Sequence, residues 1–306
     1  MMRHEKFACF ILTYGRPQNQ QTYRSLRKHG YTGPIYLIID DEDTTGDEYI
    51  RKYGKEVIRF CKEEAARLTD RGDNIQKKNT VLFARNMCHK IAEGLGLDFF
   101  LELDDDYDSF QHRYVKDGVL KYVYPQCLDD VFDAYLDFLE RTPSLSVCFM
   151  QNGDFIGGAT DFPKLAVKRK AMNAFFCKTL RPFKFVGRMN DDVNTYVTLG
   201  HRGKLFFSFG NTCINQAETQ SQAGGLTDMY LENGTYMKSF YTVMMCPSAV
   251  KISTLKDTYM RYHHKISWNH CRPKSFPLDT KRRIHENKSR NRWCRIFRST
   301  SLQGIA

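Results

Sequence analysis

Three short, predominantly apolar runs, each stopped by a turn residue or an acid, constrain this chain more than any other feature. They occupy residues 7–12, 34–39 and 98–103. A strand buried on both faces reads as a continuous apolar run, whereas a half-exposed strand alternates. Between the runs lie helical stretches: a polar one near residues 18–29, closed by Gly30 and Gly33-Pro34, and another near 47–53. A third starts at Thr80, where Val81, Ala84, Cys88, Ile91 and Leu95 recur at helical spacing up to the stops Gly94 and Gly96. With a short strand at 57–60, the alternation predicts parallel βαβ units. The expected fold is therefore α/β, a mixed central sheet with a Rossmann-like first half and helices on both faces.

Further along, the pattern predicts a hairpin turning at Lys116-Asp117-Gly118, a helix over 129–141, a strand over 144–150 and a Gly-rich loop over 151–164. The remainder, at 167–177, 204–214 and 236–250, reads as strand-rich, with one helix near 191–200. With 306 residues, 42% of them hydrophobic, the chain is large enough to bury a substantial core, which excludes disorder as the default.

The run at residues 7–12 is too short for a signal-peptide core or a bilayer span, and no other stretch reaches membrane length. A cytosolic enzyme without a membrane partner is the expectation. The ten cysteines stand singly, without a CxxC pair, which excludes zinc-ribbon and disulfide-framework spacings and predicts reduced thiols packed as small hydrophobes. The net charge of +11 is confined to one end, because residues 251–306 carry 14 Lys and Arg against 3 Asp and Glu. A neutral body with a basic terminus suits contact with a polyanion, and a solvated solubility tail is the alternative.

The sharpest chemical feature is the third run, which ends in Asp104-Asp105-Asp106. In an open α/β sheet, ligands bind beyond the carboxyl ends of the strands, so these acids face a crevice. Adjacent carboxylates repel one another unless a divalent cation sits among them. Strand alternation puts Asp104 and Asp106 on one face, to hold metal and diphosphate, and turns Asp105 away. A solvated turn and a nuclease-type magnesium site are the competing readings.

The ordered segments Ile11-Leu12-Thr13-Tyr14-Gly15-Arg16-Pro17, Ile39-Asp40-Asp41, Ala84-Arg85-Asn86 and Leu103 to Asp106 resemble the nucleotide-sugar half of GT-A glycosyltransferases. The resemblance runs from Phe10 to about Pro277. It implies a UDP-sugar donor and a divalent metal, manganese or magnesium. Thr13, Tyr14 and Arg16 would cradle the nucleotide, Asp40 or Asp41 would meet the base, and Arg85 would lie near the diphosphate. Asp104 and Asp105 would join the donor site and Asp104 and Asp106 the metal. A catalytic domain over 1–280 follows, with a nucleotide-sugar half (1–110) and an acceptor half (111–280), then a basic extension over 281–306.

The segment Phe185-Val186-Gly187-Arg188-Met189-Asn190-Asp191-Asp192-Val193-Asn194, followed by Gly200-His201-Arg202-Gly203, is similar to the TET/JBP-associated glycosyltransferases. That group includes the base J glucosyltransferase and viral relatives, and its members add a sugar to hydroxymethylated pyrimidines in DNA. Read from the residues alone, Asp191 and Asp192 open a helix and serve either as caps or as a general base. In inverting GT-A enzymes the base often stands second in such a pair, which implies Asp192 with Asp191 beside it. Among His263, His264 and His270, His264 is the expected third metal ligand.

The terminal stretch interleaves Lys281, Arg282, Arg283, Lys288, Arg290, Arg292, Arg295 and Arg298 with Trp293 and Phe297. Cations contact phosphates without reading sequence and aromatics stack on bases, so DNA is the expected partner, with a docked amphipathic helix as the alternative. The expected reaction is transfer of a hexose, glucose by default, from a UDP-sugar to a 5-hydroxymethylpyrimidine in DNA, with inversion. The sequence also leaves open a protein, lipid or glycan acceptor, a metal-dependent nuclease or nucleotidyltransferase, and a non-catalytic nucleic-acid-binding protein.

Overall fold

The computed structural model describes residues 2–76, 78–155, 158–161, 167–216, 237–256 and 260–271. The apolar runs form three adjacent strands in one half of a ten-stranded mixed sheet. In chain order the elements begin with β1 (Phe7–Leu12), α1 (Gln21–Lys28), β2 (Ile35–Asp40), α2 (Gly46–Tyr53), β3 (Val57–Phe60), α3 (Lys62–Arg67), α4 (Leu82–Gly94) and β4 (Phe99–Asp104). They continue with β5 (Tyr107–Lys116), β6 (Val119–Val123), α5 (Leu128–Arg141), β7 (Ser146–Gln151), α6 (Gly158–Asp161), β8 (Val167–Lys168) and β9 (Phe175–Lys178). Last come α7 (Asp191–His201), β10 (Phe206–Gln216), β11 (Val250–Lys256) and β12 (Met260–Ile266).

The strands run in the order β3-β2-β1-β4-β9-β7-β10-β5-β6, with β8 added against β10. β3, β2, β1 and β4 are mutually parallel, so their carboxyl ends open on one edge. β9 reverses the direction between β4 and β7. In this first half Leu12 lies opposite both Ile38 and Asp104, which sets the loop after β1 directly beside the aspartates.

Strand alternation divides the core into two layers. Ala8, Phe10, Phe100 and Cys148 point to the layer covered by α3, α4 and α7, through Ala65, Cys88 and Val193. Phe7, Cys9, Ile11, Leu101 and Phe149 point to the layer covered by α1, α2 and α5, through Leu26, Tyr49 and Phe132. Each large apolar side chain so enclosed contributes roughly 1.5–3 kcal/mol. The hairpin turn falls where expected, on Asp117 and Gly118, both with positive φ (54° and 72°). The nine cysteines among the described residues are free thiols, and no helix of those residues is long and apolar enough to cross a membrane.

Three expectations need correction. Residues 237–245, read as strand, are helical, and strand begins only at Val250. The buried face of that helix includes Ser239 and Thr242, so the apolar periodicity that identifies a helix is interrupted. Residues 62–67 form the unexpected α3, and residues 169–174 interrupt the expected strand over 167–177. The Gly-rich segment contains a 3-10 turn at Asn152–Phe155 and the short α6. The basic terminus, 281–306, lies outside the described residues.

Candidate active site

The three aspartates after β4 each meet a different partner. Asp104 Oδ1 accepts a hydrogen bond from Arg85 Nη2 at 2.8 Å. Asp105 turns to the other side, where Oδ2 accepts from Thr13 Oγ1 at 2.6 Å and Oδ1 from Arg16 Nη1 at 2.9 Å. Both oxygens of Asp106 accept from Gln216 Nε2, at 3.1 and 3.2 Å. Asp105 thus diverges from its neighbours, through the turn that follows β4 at Asp104 rather than through strand alternation, and fastens the loop after β1 to the acidic turn.

That loop is tied down further. Arg16 N–H donates to the Tyr49 hydroxyl at 2.9 Å, and Thr13 Oγ1 hydrogen-bonds to the same hydroxyl at 2.8 Å and accepts from Gln20 Nε2 at 2.8 Å. Gly15 N–H donates to Asp43 Oδ2 at 2.8 Å. Tyr14 is left exposed, with Lys62 Nζ 5.1 Å from its ring centre. The same Lys62 pairs with Asp40 Oδ2 at 3.1 Å, while the backbone N–H of Lys62 donates to Asp41 Oδ1 at 2.8 Å. Burial pushes the Asp40 carboxyl up against the pull of Lys62; hydrogen bonding from the Lys62 N–H holds Asp41 below its usual range.

Arg85 is the centre of the site and differs from expectation. Instead of standing free for a diphosphate, it is buried among Asp104 (2.8 Å), Asp191 (2.9 Å) and Glu102 (3.6 Å), with its guanidinium over the rings of Phe175 and Phe185. Burial works against its charge, yet the carboxylates of Asp104, Asp191 and Glu102 hold its pKa above the usual value. One cation cannot neutralise three enclosed carboxylates. Burial accordingly pushes Glu102 up to about 8, Asp104 to about 7 and Asp191 to about 6, with Arg85 opposing in each case.

The segment before α7 is clamped onto α4. Asn86 accepts from the Phe185 N–H at 2.8 Å and donates to the Phe185 carbonyl at 3.0 Å, next to the ion pair from Arg85 to Asp191. Gly187 has φ +82°, and a Cβ there would stand 2.3 Å from Asn194 Nδ2, which itself donates to the carbonyls of Val186 and Met189. Arg188 is wholly buried, bonded to both oxygens of Asp73 at 2.8 and 3.0 Å. The N-cap position is Asn190, whose side chain makes no capping hydrogen bond, and Asp191 and Asp192 lie in the first turn of the helix. Asp192 is buried, and its Oδ1 accepts from the Val193 N–H at 2.7 Å.

His264 is not brought to the aspartates. It stands on β12 opposite Ile252 in the separate two-stranded sheet with β11, and burial, then His263 and Lys238, pushes its pKa down to about 4. Among the described residues no three His, Cys, Asp or Glu side chains come together as a metal-binding set, so Asp104, Asp106 and His264 do not form one.

Sequence reasoning missed Glu102, Gln216 and Asn173. Glu102 had a signal, since it lies two residues before Asp104 on one strand and so shares its face. Asn173 (φ +62°) and Gln216 had none: Asn173 offers its carbonyl to Arg85 at 3.3 Å and its Nδ2 to Gln216 Oε1 at 2.8 Å, across long sequence separations. The result is a ring in which Arg85, Asn173 and Gln216 fix Asp104 and Asp106 together.

The family model described as TET-Associated Glycosyltransferase matches residues 7–225. No curated protein matches the chain. Among solved structures, one similar to it is a glucosyl-3-phosphoglycerate synthase from Mycobacterium tuberculosis in complex with Mg2+ and uridine diphosphate. It has 10% identity and a TM-score of 0.43, over 86% of this chain and 88% of that one. Another is a mannosyltransferase from Pyrobaculum calidifontis in complex with GDP-Man and Mn2+, with 9% identity and a TM-score of 0.42, over 79% and 73% of the two chains.

Proposed function

The chain belongs to the TET-associated glycosyltransferase family, and on that premise we propose that it transfers a hexose, glucose by default, from a UDP-sugar to a 5-hydroxymethylpyrimidine in DNA. The observation that carries the reading is the Arg85 brace, which joins Asp104 at the end of β4 to Asp191 at the start of α7. It sets an acidic pair suited to a donor diphosphate beside an acidic pair suited to an acceptor hydroxyl.

Asp104 and Asp106 fit a hard divalent cation, manganese or magnesium. Both offer oxygen donors and both are pushed up by burial, with Arg85 opposing at Asp104 and the Gln216 hydrogen bond opposing at Asp106. When bound, such a cation supplies positive charge against the leaving diphosphate. Two protein carboxylates with the remaining positions left to phosphate oxygens and water is an ordinary arrangement for these ions. Thr13, Arg16 and Asp105 fix the loop after β1 that would cradle the nucleotide, with Tyr14 exposed on it, and Asp40 or Asp41 would meet the base.

In the reaction, the acceptor hydroxyl oxygen bonds to the anomeric carbon as the bond from that carbon to the diphosphate oxygen breaks. The bonding electron pair leaves with the diphosphate and the hydroxyl proton passes to Asp192. Asp191 is held by Arg85, so it positions the pair while Asp192 acts as general base. Attack opposite the leaving group inverts the anomeric centre. A base within a duplex must leave the stack to reach this position. The test is incubation with hydroxymethylated DNA and a panel of nucleotide sugars, followed by mass spectrometry of the released nucleosides. A hexose adduct on the hydroxymethylpyrimidine is expected; DNA cleavage, or no adduct with any sugar, overturns the reading.

A further inference from the structure

The β5–β6 hairpin takes no part in the site described above, yet its composition is unusual for an edge of a sheet. β10 pairs with β5 only from Tyr107 to His112, and beyond that residues 113–116 pair with β6 alone. A two-stranded ribbon therefore projects past the sheet. It carries Arg113, Lys116 and Lys121 against a single acid, Asp117. Among the described residues it is also openly aromatic and apolar: Val119 is 56% exposed, Tyr122 48% and Tyr124 51%. Arg113 lies opposite Tyr122 with its guanidinium 5.2 Å from the ring centre, and the rings of Tyr122 and Tyr124 meet edge to face at 5.5 Å.

Alternation places these groups on both faces of the ribbon. Arg113, Leu120 and Tyr122 share one face, and Leu120 packs against Met150 and Phe155. Met150 lies on the same face of β7 as Cys148, which packs with Val193 of α7, so this face continues toward the helix opened by Asp191 and Asp192. Lys116, Val119 and Lys121 point to the opposite face. On the outward face Lys116 and Lys121 flank Val119, and two cations on an exposed two-stranded element suit the phosphates of a duplex, whereas Arg113 is held toward the body by Gln111, Asn152 and the Phe155 ring. A purely apolar edge would instead suit a second copy of the chain.

We infer that this ribbon is a second nucleic-acid contact, gripping the acceptor duplex at a distance from the target nucleotide; the inference rests on the DNA-acceptor reading given above. β5 starts directly after Asp106, and at roughly 3.4 Å per residue Tyr114, opposite Lys121, and Lys116 lie roughly 27 and 34 Å along it. That spacing corresponds to about 8 to 10 base pairs of duplex.

The test compares Lys116→Gln/Lys121→Gln and Tyr122→Ala/Tyr124→Ala with the wild type by fluorescence anisotropy. The probes are duplexes of about 30 and about 10 base pairs, each with a central hydroxymethylated base. On the long duplex the lysine variant should lower the slope of log affinity against log salt by about 1.8, or about 0.9 per cation. The tyrosine variant should weaken binding roughly tenfold through lost hydroxyl hydrogen bonds to phosphate. On the short duplex both should bind as the wild type does, and uridine diphosphate affinity should be unchanged. Variants with wild-type slope and affinity on the long duplex, alongside normal sugar transfer by the wild type, overturn the ribbon and leave the function standing. A wild-type dimer that these variants dissociate, with DNA binding unaltered, assigns the surface to a second copy and also overturns it. A wild type that binds neither duplex removes the DNA-acceptor reading and the ribbon together.

Discussion

At the scale of single residues, the most consequential distinction is between Asp191 and Asp192. The two are neighbours in the first turn of α7, but only Asp191 meets Arg85. Replacing Asp192 with Asn preserves size and helix compatibility while removing the capacity to take a proton. Asp192→Asn should therefore lower turnover roughly a hundredfold or more, the usual scale for a general base, with thermal stability and nucleotide binding near wild type. Asp191→Asn should show the reverse balance, a smaller loss of turnover and a larger loss of thermal stability, because it strips a buried guanidinium of one partner. Near-full turnover in Asp192→Asn would place the base elsewhere. The role of Asp105 was partly legible: the pattern separated it from its neighbours, but a turn after Asp104 does the separating, and its destination on Thr13 and Arg16 depended on a loop whose path the sequence does not encode locally.

At the scale of elements, α4 does more than fill a layer. Its Arg85-Asn86 pair grips both the β4 terminus and the segment before α7, which explains physically why those motifs occur together. Asn86→Ala leaves the Phe185 N–H and carbonyl without their shared partner in a packed region, at a cost of about 1–3 kcal/mol. The expected outcome is a lower melting temperature and reduced turnover with uridine diphosphate affinity retained, measured by calorimetry and steady-state kinetics. Unchanged stability would mean that the clamp is not needed to hold α7.

On the same helix His89 packs edge-on to Phe100 and Phe183 at 4.9 and 5.6 Å, and burial pushes its pKa down to about 4. Its folded value is depressed below the unfolded one near 6.5, so the unfolded chain binds the extra proton as pH falls. Its contribution to stability is present above about 6.5 and is lost as pH falls toward 4. His89→Phe should therefore flatten the decline in melting temperature between pH 7 and pH 5; an equal decline in both proteins would contradict it. The strands 7–12, 35–40 and 99–104 were legible because burial on both faces leaves them almost wholly apolar, Glu102 being the one acid ahead of the closing Asp40 and Asp104. The helix at 237–245 was not, because polar Ser239 and Thr242 face inward there.

At the scale of the whole molecule, the charge distribution separates a neutral body, residues 1–250, from a basic end, residues 251–306, whose last part, 281–306, lies outside the described residues. The proposal that this terminus tracks DNA phosphates predicts that deleting residues 281–306 lowers the salt dependence of DNA binding and leaves donor binding unaffected. An unchanged slope would assign the segment to solubility or to docking on the body. The order of the acidic and glycine motifs was enough to anticipate which strand ends open on one edge. The ring through Arg85, Asn173 and Gln216 was not, since it joins residues far apart in sequence by single hydrogen bonds.

The central claim is that Asp104 and Asp106 receive a divalent cation together with the donor diphosphate, and titration calorimetry of uridine diphosphate with and without manganese tests it most directly. Asp106 is a partly exposed carboxylate bonded by one glutamine, so Asp106→Asn should leave the fold intact. The wild type is predicted to bind uridine diphosphate much more tightly when manganese is present, and Asp106→Asn is predicted to lose that enhancement while keeping its melting temperature. Equal affinity in the wild type with and without manganese, or an undiminished manganese effect in Asp106→Asn, would contradict the account.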